Sequence, residues 1–361
     1  MTEKKYPTSA LKQGNWFKLI CGASFQHLPA IRSLALAYTL AGAHCIDVAA
    51  DEAVIKAALE GIETALSLKD KNLARELKPH APLLMVSLND GEDPHFRKAE
   101  FNPQDCPADC PRPCEKICPA NAIAFRNTGG VADGVFDDRC YGCGRCLPIC
   151  PKGLIVTRSY GSTPEVSVQV IQTMGIKAIE IHTQVGHAKD FQRIWQAIAP
   201  MTHQLDVLAI SCPDDSQLIE YLNYLYQLIS PLSCDLIWQT DGRPMSGDIG
   251  IGTTAATVKL GQKVLEAKLP GYVQLAGGTN QHTVTKLKAL GLLKGGVQTE
   301  ENLTVSGIAY GSYARSLLNE ILEQLETRNC QKLENCPDLL WQAVTKAKSL
   351  VKQLTTNVHC S

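Results

Sequence analysis

The stretch from Cys106 to Pro151 constrains the fold of this chain more than any other. It holds eight of the 15 cysteines in a chain of 361 residues, and they form two runs of four. The second run, which begins at Cys140, has the spacing C-x2-C-x2-C-x3-C and ends in proline. The first run has the same C-x3-C-P ending, but its two earlier gaps are three residues wide instead of two. Thiols spaced this densely indicate a centre in which sulfur binds a soft metal.

The spacing of the second run is that of bacterial-type ferredoxins, in which three thiolates of a run hold one iron–sulfur cluster. Because the fourth thiolate serves the other cluster, one run predicts a partner run, and the first run is that partner. Each run precedes an apolar segment predicted to be a strand, 122–125 and 153–156, and such repetition is typical of a pseudo-symmetric module. A disulfide knot and zinc sites are the alternatives. The cysteines are too crowded for ordinary disulfides, and a zinc ribbon lacks the C-x3-C-P ending.

The composition restricts the class of protein. With 35 basic and 36 acidic residues the formal charge is −1, which gives no basis for nucleic-acid binding. No apolar run is long enough for a transmembrane helix, and the start lacks the apolar core of a secretory signal, so we expect a cytoplasmic protein. In that compartment the cysteines outside the two runs are expected to be reduced thiols. They are Cys21, Cys45, Cys212, Cys234, Cys330, Cys336 and Cys360.

Apolar runs typical of strands alternate with helical patterns along the rest of the chain. Strands are predicted near residues 17, 45, 84, 179, 206, 235, 272 and 304, each followed by a helix. Since eight βα units close a barrel, we predict an α/β fold, a (β/α)8 TIM-like barrel, with a two-cluster ferredoxin-like module inserted after the third strand. An open doubly wound parallel sheet is the alternative. The predicted boundaries are 1–95 and 158–328 for the barrel, 96–157 for the insert and 329–361 for a C-terminal helical tail.

The loops that follow the strands are expected to form the mouth of the barrel, where barrel active sites lie. Glycines after the seventh and eighth strands let backbone amides approach an anion, and the start of a helix favours negative charge. They predict a site for a phosphate-bearing ligand such as flavin mononucleotide, with ligand-free tight turns as the alternative. The predicted cofactor-binding residues are Gly277, Gly278, Thr279, Gly311 and Ser312. Other polar residues predicted near the mouth are His27, Asn89, His182, Gln239, Asp241, Arg243 and Asp248. No catalytic residue is assigned.

Taken together, the chain resembles the light-dependent period family of cyanobacterial iron–sulfur proteins over essentially its whole length. The most specific similarities, apart from the two cysteine runs, are the segments 241–248, Asp-Gly-Arg-Pro-Met-Ser-Gly-Asp, and 274–280, Gln-Leu-Ala-Gly-Gly-Thr-Asn. The resemblance implies a protein that reports the cellular redox state, set by photosynthetic electron flow, to the circadian clock. Its implied partners are redox carriers, namely ferredoxin or the quinone pool, and circadian clock proteins.

The resemblance also implies the cluster ligands. They are Cys106, Cys110, Cys114, Cys118, Cys140, Cys143, Cys146 and Cys150. Two 4Fe-4S clusters are expected, and the wide gaps of the first run leave open a 3Fe-4S cluster there. Crossed ligation in two-cluster ferredoxins predicts that Cys118 joins the cluster of the second run and that Cys150 joins the cluster of the first.

Two classes of function fit these features. One is a redox sensor, in which the clusters exchange electrons with carriers and change the protein's contacts with clock components. The other is an oxidoreductase, in which the barrel binds a flavin or an organic substrate and the clusters supply electrons. The absence of a Ser-His-Asp set, a Walker loop or a helical metal-binding histidine pair leaves the enzymatic class without a named catalyst.

Overall fold

Strands and helices alternate along the chain as the sequence pattern predicts. A computed structural model describes residues 7–21, 27–68, 80–91, 97–118, 121–125, 127–128, 131–132, 134–137, 139–140, 144–159, 163–243, 250–294 and 303–355. The strands are β1 (Trp16–Ile20), β2 (Cys45–Ala49), β3 (Leu83–Asn89), β4 (Arg97–Glu100), β5 (Asn127–Thr128), β6 (Val131–Ala132), β7 (Val156–Ser159), β8 (Ala178–His182), β9 (Val207–Pro213), β10 (Asp235–Asp241), β11 (Tyr272–Ala276) and β12 (Gly307–Tyr310).

Eight of these strands form a closed barrel in the order β1-β2-β3-β8-β9-β10-β11-β12. All neighbouring pairs are parallel, and β1 pairs with both β2 and β12, which closes the ring. The predicted (β/α)8 barrel is therefore confirmed, and the open-sheet alternative is wrong because no barrel strand is left at an edge. The predicted domain boundaries stay predictions.

Most of the helices follow barrel strands and cover them from outside, whereas α1 precedes β1 and α4 and α5 lie in the insert. They are α1 (Ser9–Gln13), α2 (Leu28–Ala41), α3 (Glu52–Ser67), α4 (Pro113–Ile117), α5 (Cys146–Ile149), α6 (Pro164–Thr173), α7 (Ala188–Ile198), α8 (Leu218–Ile229), α9 (Thr254–Glu266), α10 (Thr283–Ala289), α11 (Ser312–Thr327) and α12 (Pro337–Thr355). Asp51 caps α3, because its side chain accepts hydrogen bonds from the backbone N–H groups of Ala53 and Val54. The tail helix α12 packs against α2, α11 and β1. None of the helices in the described residues is long and apolar enough to cross a membrane.

The barrel strands alternate between two environments, as the period of a strand requires. Outward residues such as Phe17, Ile46 and Ile179 join the main apolar core beneath the helices. Inward residues at the N-terminal end of the barrel form a second apolar layer, which includes Trp16 and Met85 and is covered by α1. One layer further towards the C-terminal end, the inward residues are polar, and this change defines the interior of the barrel.

The insert lies between β3 and the helix that precedes β8. Strands β4 and β7 pair antiparallel, and the short helices α4 and α5 pack against each other. The predictions of a strand after each cysteine run are wrong in detail. Segment 122–125 makes only one isolated bridge, from Ile123 to Val135, and the second strand begins at Val156 instead of Gly153. In the second case the preceding backbone N–H groups point at the sulfur of Cys150 and are not available to a neighbouring strand.

The sequence analysis expected reduced thiols for all cysteines outside the insert, and this expectation is wrong for two of them. Cys330 and Cys336 form a disulfide across the turn between α11 and α12. The turn brings them together because Leu333, at its centre, is buried in the core, and Glu334 is bound to Arg32 of α2. Cys21, Cys45 and Cys212 are buried free thiols as predicted, and Cys234 is a half-buried one. Cys360 lies outside the described residues.

Candidate functional site

Among the insert cysteines, one group consists of Cys106, Cys110 and Cys114 of the first run together with Cys150 of the second run. Burial raises the pKa of the Cys106 thiol, and the neighbouring thiols of Cys110 and Cys150 raise it further. The pKa of Cys114 is also raised by burial, again with contributions from Cys150 and Cys106. Cys150 therefore lies close to the first run in space, although it is the last cysteine of the second run. This is the neighbourhood that the crossed ligation predicts, while the ligation itself stays a prediction.

The second group surrounds a small apolar core of its own. Cys140 and Cys146 are buried in it with Cys114, and Cys118 packs against it. Two backbone N–H groups donate to sulfurs of this group: Ala99 to Cys140 at 3.4 Å and Ala122 to Cys118 at 3.2 Å. Cys143 lies outside the described residues. Within those residues no three His, Cys, Asp or Glu side chains are placed to hold a single metal ion.

The backbone around the last cysteine of each run favours a thiolate. Burial alone would raise the pKa of Cys150, but the N–H groups of residues 152–155 donate to its sulfur and bring the pKa below its ordinary value. The N–H of Ala122 stands four residues after Cys118, just as that of Leu154 stands four residues after Cys150, so the repeat is structural as well as sequential. Soft thiolates that accept backbone N–H bonds are the donor set that iron–sulfur clusters use, and these bonds help to set the reduction potential. The residues therefore fit iron–sulfur clusters.

The barrel interior holds three charged side chains that are shielded from solvent. Lys18 on β1 and Glu180 on β8 are 0% exposed and Asp47 on β2 is 1% exposed. The Lys18 ammonium is in contact with the Glu180 carboxylate, and its Nζ lies 3.5 Å from Asp47 Oδ2. Burial alone would lower the pKa of Lys18, but the two carboxylates raise it above its ordinary value. Burial raises the pKa of Asp47 in spite of Lys18. Within the barrel the lysine acts as an internal counter-cation.

Amides and hydroxyls extend this charged layer around the barrel. Ser87 donates to Asp47 at 2.6 Å, and Gln239 donates to Glu180 at 2.6 Å and to Ser211 at 3.1 Å. The Gln274 amide donates to the carbonyl oxygen of Gln239. His182 Nε2 lies 3.1 Å from Glu180 Oε1, and 21% of the His182 side chain is exposed, so this residue connects the layer to the mouth. His182 and Gln239 were both predicted near the mouth, and Gln239, which is 2% exposed, lies inside the layer instead.

The predicted glycine turns are braced internally. Gly277 and Gly278 have φ of 64° and 92°, the left-handed region that favours glycine, and a Cβ on Gly277 would lie 1.7 Å from Asp241 Oδ1. Their carbonyls accept hydrogen bonds from the hydroxyls of Thr257 and Thr253. The Thr279 hydroxyl donates to the carbonyl of Ala309. The carbonyl oxygens of both glycines and the Thr279 hydroxyl are therefore already engaged within the protein.

The other predicted mouth residues occupy separate places. Gly311 precedes α11, and Ser312 Oγ accepts a hydrogen bond at 3.2 Å from Arg315, which also donates to the carbonyl of Ile20 at 2.9 Å. Asn89 turns back to accept from the N–H of Gly91 at 3.0 Å. The predicted mouth position of His27 is not found, because it lies 3.6 Å from Glu326 on the helical shell. Asp248 lies outside the described residues, and Arg243 is exposed.

Three charged residues of the interior were not among the sequence candidates, namely Lys18, Asp47 and Glu180. Each stands alone between two apolar residues of a strand, as in Phe-Lys-Leu, Ile-Asp-Val and Ile-Glu-Ile. That pattern is a usable signal, because a single charge in a strand covered on both faces must point towards other polar groups. A further pair at the mouth, Asp90 and His187 with 3.0 Å between Oδ1 and Nδ1, was also missed.

A closed eight-stranded barrel with a cysteine module of this kind defines a class, the (β/α)8-barrel proteins that carry an iron–sulfur cluster-binding domain. Within that class the chain belongs to the light dependent period A family. The family model described as the LdpA Fe-S cluster-binding domain matches residues 106–161, and the model of the Light dependent period A C-terminal domain matches residues 170–353.

Comparison with individual proteins agrees with this membership. Light dependent period A of Synechococcus elongatus is 52% identical over 349 residues, which cover 97% of this chain and 94% of the relative. Among solved structures, tryptophan synthase from Mycobacterium tuberculosis has 10% identity and a TM-score of 0.42, with 98% of this chain and 96% of that chain covered. The tryptophan synthase alpha chain from Legionella pneumophila has 13% identity and a TM-score of 0.41, with 98% of each chain covered. The barrel assignment rests on the strand order and not on these two likenesses.

Proposed function

We propose that this protein is an iron–sulfur redox sensor that reports the redox state of the cell, set by photosynthetic electron flow, to the circadian clock. The observation that carries the proposal is the pair of cysteine groups with backbone N–H donors aimed at their sulfurs. The name of the Synechococcus elongatus relative supports the circadian part. A sensor needs clusters that carriers can reach, and Cys106, Cys110, Cys118 and Cys150 are only partly buried.

The proposal includes two clusters, both 4Fe-4S unless the first run holds a 3Fe-4S cluster. Their electrons exchange with ferredoxin or the quinone pool, and the oxidised and reduced forms differ in their contacts with clock proteins. A cytoplasmic location belongs to the same proposal, because thiolates assemble clusters in a reducing compartment. One charge separates two oxidation states of a cluster, and such a change is felt over several ångströms near a protein surface.

The test replaces the relative in Synechococcus elongatus with this chain and measures the circadian period at several light intensities. We expect the period to respond to light with the parent chain and with Cys234→Ser, which removes a half-buried thiol of the barrel. Cys146→Ser removes a predicted ligand in the insert and should abolish the response. Spectroelectrochemical titration of the purified proteins should show loss of a cluster only in Cys146→Ser. An equal response of the period to light in both variants contradicts the sensor role.

The second candidate function is an oxidoreductase whose barrel binds a flavin or an organic substrate. The charged interior layer favours it, since a barrel interior that serves only stability is filled by branched apolar side chains. In this version Gly277, Gly278, Thr279, Gly311 and Ser312 hold a phosphate-bearing cofactor such as flavin mononucleotide. The visible spectrum of anaerobically purified protein separates the two functions. Resolved flavin peaks support the enzyme, and a broad cluster band alone supports the sensor.

A further inference from the structure

The polar layer of the barrel has a hydrogen-bond direction that the carboxylate of Glu180 fixes. An ionised carboxylate only accepts, so Gln239 must present its NH2 group to Glu180, as the 2.6 Å contact shows. The carbonyl oxygen of Gln239 then faces Gln274, which must present its own NH2 group to it. The orientation of both side-chain amides follows from this series of hydrogen bonds and does not depend on which amide atoms are assigned as nitrogen.

This series of hydrogen bonds leaves one acceptor atom without a donor. Gln274 is 0% exposed, and its Oε1 has no hydrogen-bond donor among the residues that the structure describes. A buried carbonyl oxygen without a donor is rare in proteins, because it loses its bonds to water and gains nothing in return. A donor from outside the protein, carried by a ligand, is therefore expected at this oxygen.

The inward residues next to Gln274 on the side of the mouth are small. The next inward residues towards the C-terminal end of the barrel are Ala276 on the strand of Gln274 and Ala309 on the neighbouring strand β12. Neither has a side chain larger than a methyl group. His182 is partly exposed, and its Nε2 lies 3.1 Å from Glu180 Oε1, so this side chain extends from the mouth to the layer.

The charges select the kind of ligand. The layer carries two carboxyl groups and one ammonium group, from Asp47, Glu180 and Lys18, so the acidic groups outnumber the cation. We propose that the barrel interior binds a small neutral or cationic organic molecule that carries amino or hydroxyl donors, with Gln274 Oε1 as a specificity-determining acceptor. A phosphate group does not suit this layer, because it adds negative charge beside two carboxyl groups and because the donors of the layer already have acceptors. The inference stands apart from redox sensing and concerns a site that contains none of the cluster ligands.

The test uses full-length protein with its clusters, oxidised and kept under argon, and saturation-transfer NMR. Ethanolamine and glycerol are the donor probes, and acetate is the acceptor-only probe of similar size. We expect saturation transfer to both donor probes, but not to acetate. Gln274→Leu removes the acceptor and should weaken ethanolamine binding about tenfold, the value of one hydrogen bond in a buried site. Gln192→Leu, on the exposed face of α7, is the matched control and should bind as the parent does.

A second variant keeps the test independent of whether Gln274→Leu folds. Glu180→Gln retains the shape of the side chain and removes one negative charge, so ethanolamine binding should weaken more than glycerol binding. Circular dichroism identifies any variant that has lost its fold. Three results overturn the proposal: acetate binding equal to that of ethanolamine, undiminished ethanolamine binding in folded Gln274→Leu, or no saturation transfer to either donor probe in the parent.

Discussion

Replacing Lys18 with methionine should remove much of the stability of the barrel. The ammonium is enclosed with two carboxylates, and its Nζ lies 3.5 Å from Asp47 Oδ2 and closer to Glu180. At an effective dielectric constant of about 20, unit charges at the 3.5 Å separation attract by roughly 5 kcal/mol. Removing one partner of a buried ion pair costs about 3–5 kcal/mol by measurement, and the two figures agree. Since a whole domain is stable by about 5–15 kcal/mol, this loss is large.

The stability lost in Lys18→Met should also depend on pH. Burial already raises the pKa of Asp47 in the folded state, and because Lys18 opposes that rise, the pKa should rise further in Lys18→Met. Groups of this kind favour folding most below the unfolded pKa, and the advantage is lost as the pH rises through the folded pKa. The deficit of Lys18→Met relative to the parent should therefore widen between pH 5.5 and pH 8. In the double variant with Glu180→Gln one buried charge is gone, so part of the stability should return.

Urea unfolding followed by the fluorescence of the buried Trp238 measures these differences at the two pH values. Lys56→Met is the matched control: its side chain is 62% exposed and pairs with Glu52 on the surface of α3. Exposed pairs contribute between about 0 and 1 kcal/mol, so this variant should remain close to the parent. Equal midpoints for Lys18→Met and Lys56→Met at both pH values would refute the assignment of Lys18 as the counter-cation of the layer.

Three further predictions concern other parts of the chain. Removal of iron should unfold the region 101–157 and leave the barrel folded, because repelling thiolates lose their partner; unchanged hydrogen-exchange protection in the insert contradicts this. Asp51→Ala should lower the stability by about 1 kcal/mol through loss of the α3 cap, whereas Asp51→Asn should lower it less in thermal unfolding. Reduction of the disulfide between Cys330 and Cys336 should lower the free energy of unfolding by about 2 kcal/mol, the entropy of closing so short a loop. Cys330→Ser should then unfold at the same temperature with and without reductant. A shift of its unfolding temperature on reduction would mean that the stabilisation does not come from this disulfide.

The closed barrel and the cysteine groups were accessible from the sequence because both depend on local spacing. Eight strand-and-helix units specify a ring whatever their contacts, and the C-x3-C-P endings fix which residues turn towards a common centre. For the charged layer the sequence signals only that Lys18, Asp47 and Glu180 need polar neighbours, and it does not say which residues these neighbours are. Lys18 and Glu180 are 162 positions apart, and only the closure of the ring brings them together.

The disulfide was missed for a different reason. A spacing of six residues between two cysteines is not diagnostic by itself. Cys330 and Cys336 are brought together by the burial of Leu333 and by the hydrogen bond that Arg32, 302 positions from Glu334 in the chain, donates to Glu334. Such a long-range contact has no counterpart in the local sequence.

The pairing of β4 with β7 makes the insert a removable part. Arg97 lies directly opposite Ser159, so the chain leaves and returns at neighbouring points, about 5 Å apart for antiparallel partners. A turn of two to five residues spans such a gap, which means that residues 97–159 can be excised without stretching the ring of strands. We therefore propose that the cysteine module is a separable part of the chain. In that case a chain with Arg97 and Ser159 joined by a short turn should still close its ring of eight strands, so that the chemistry of the barrel could be measured without the cysteines.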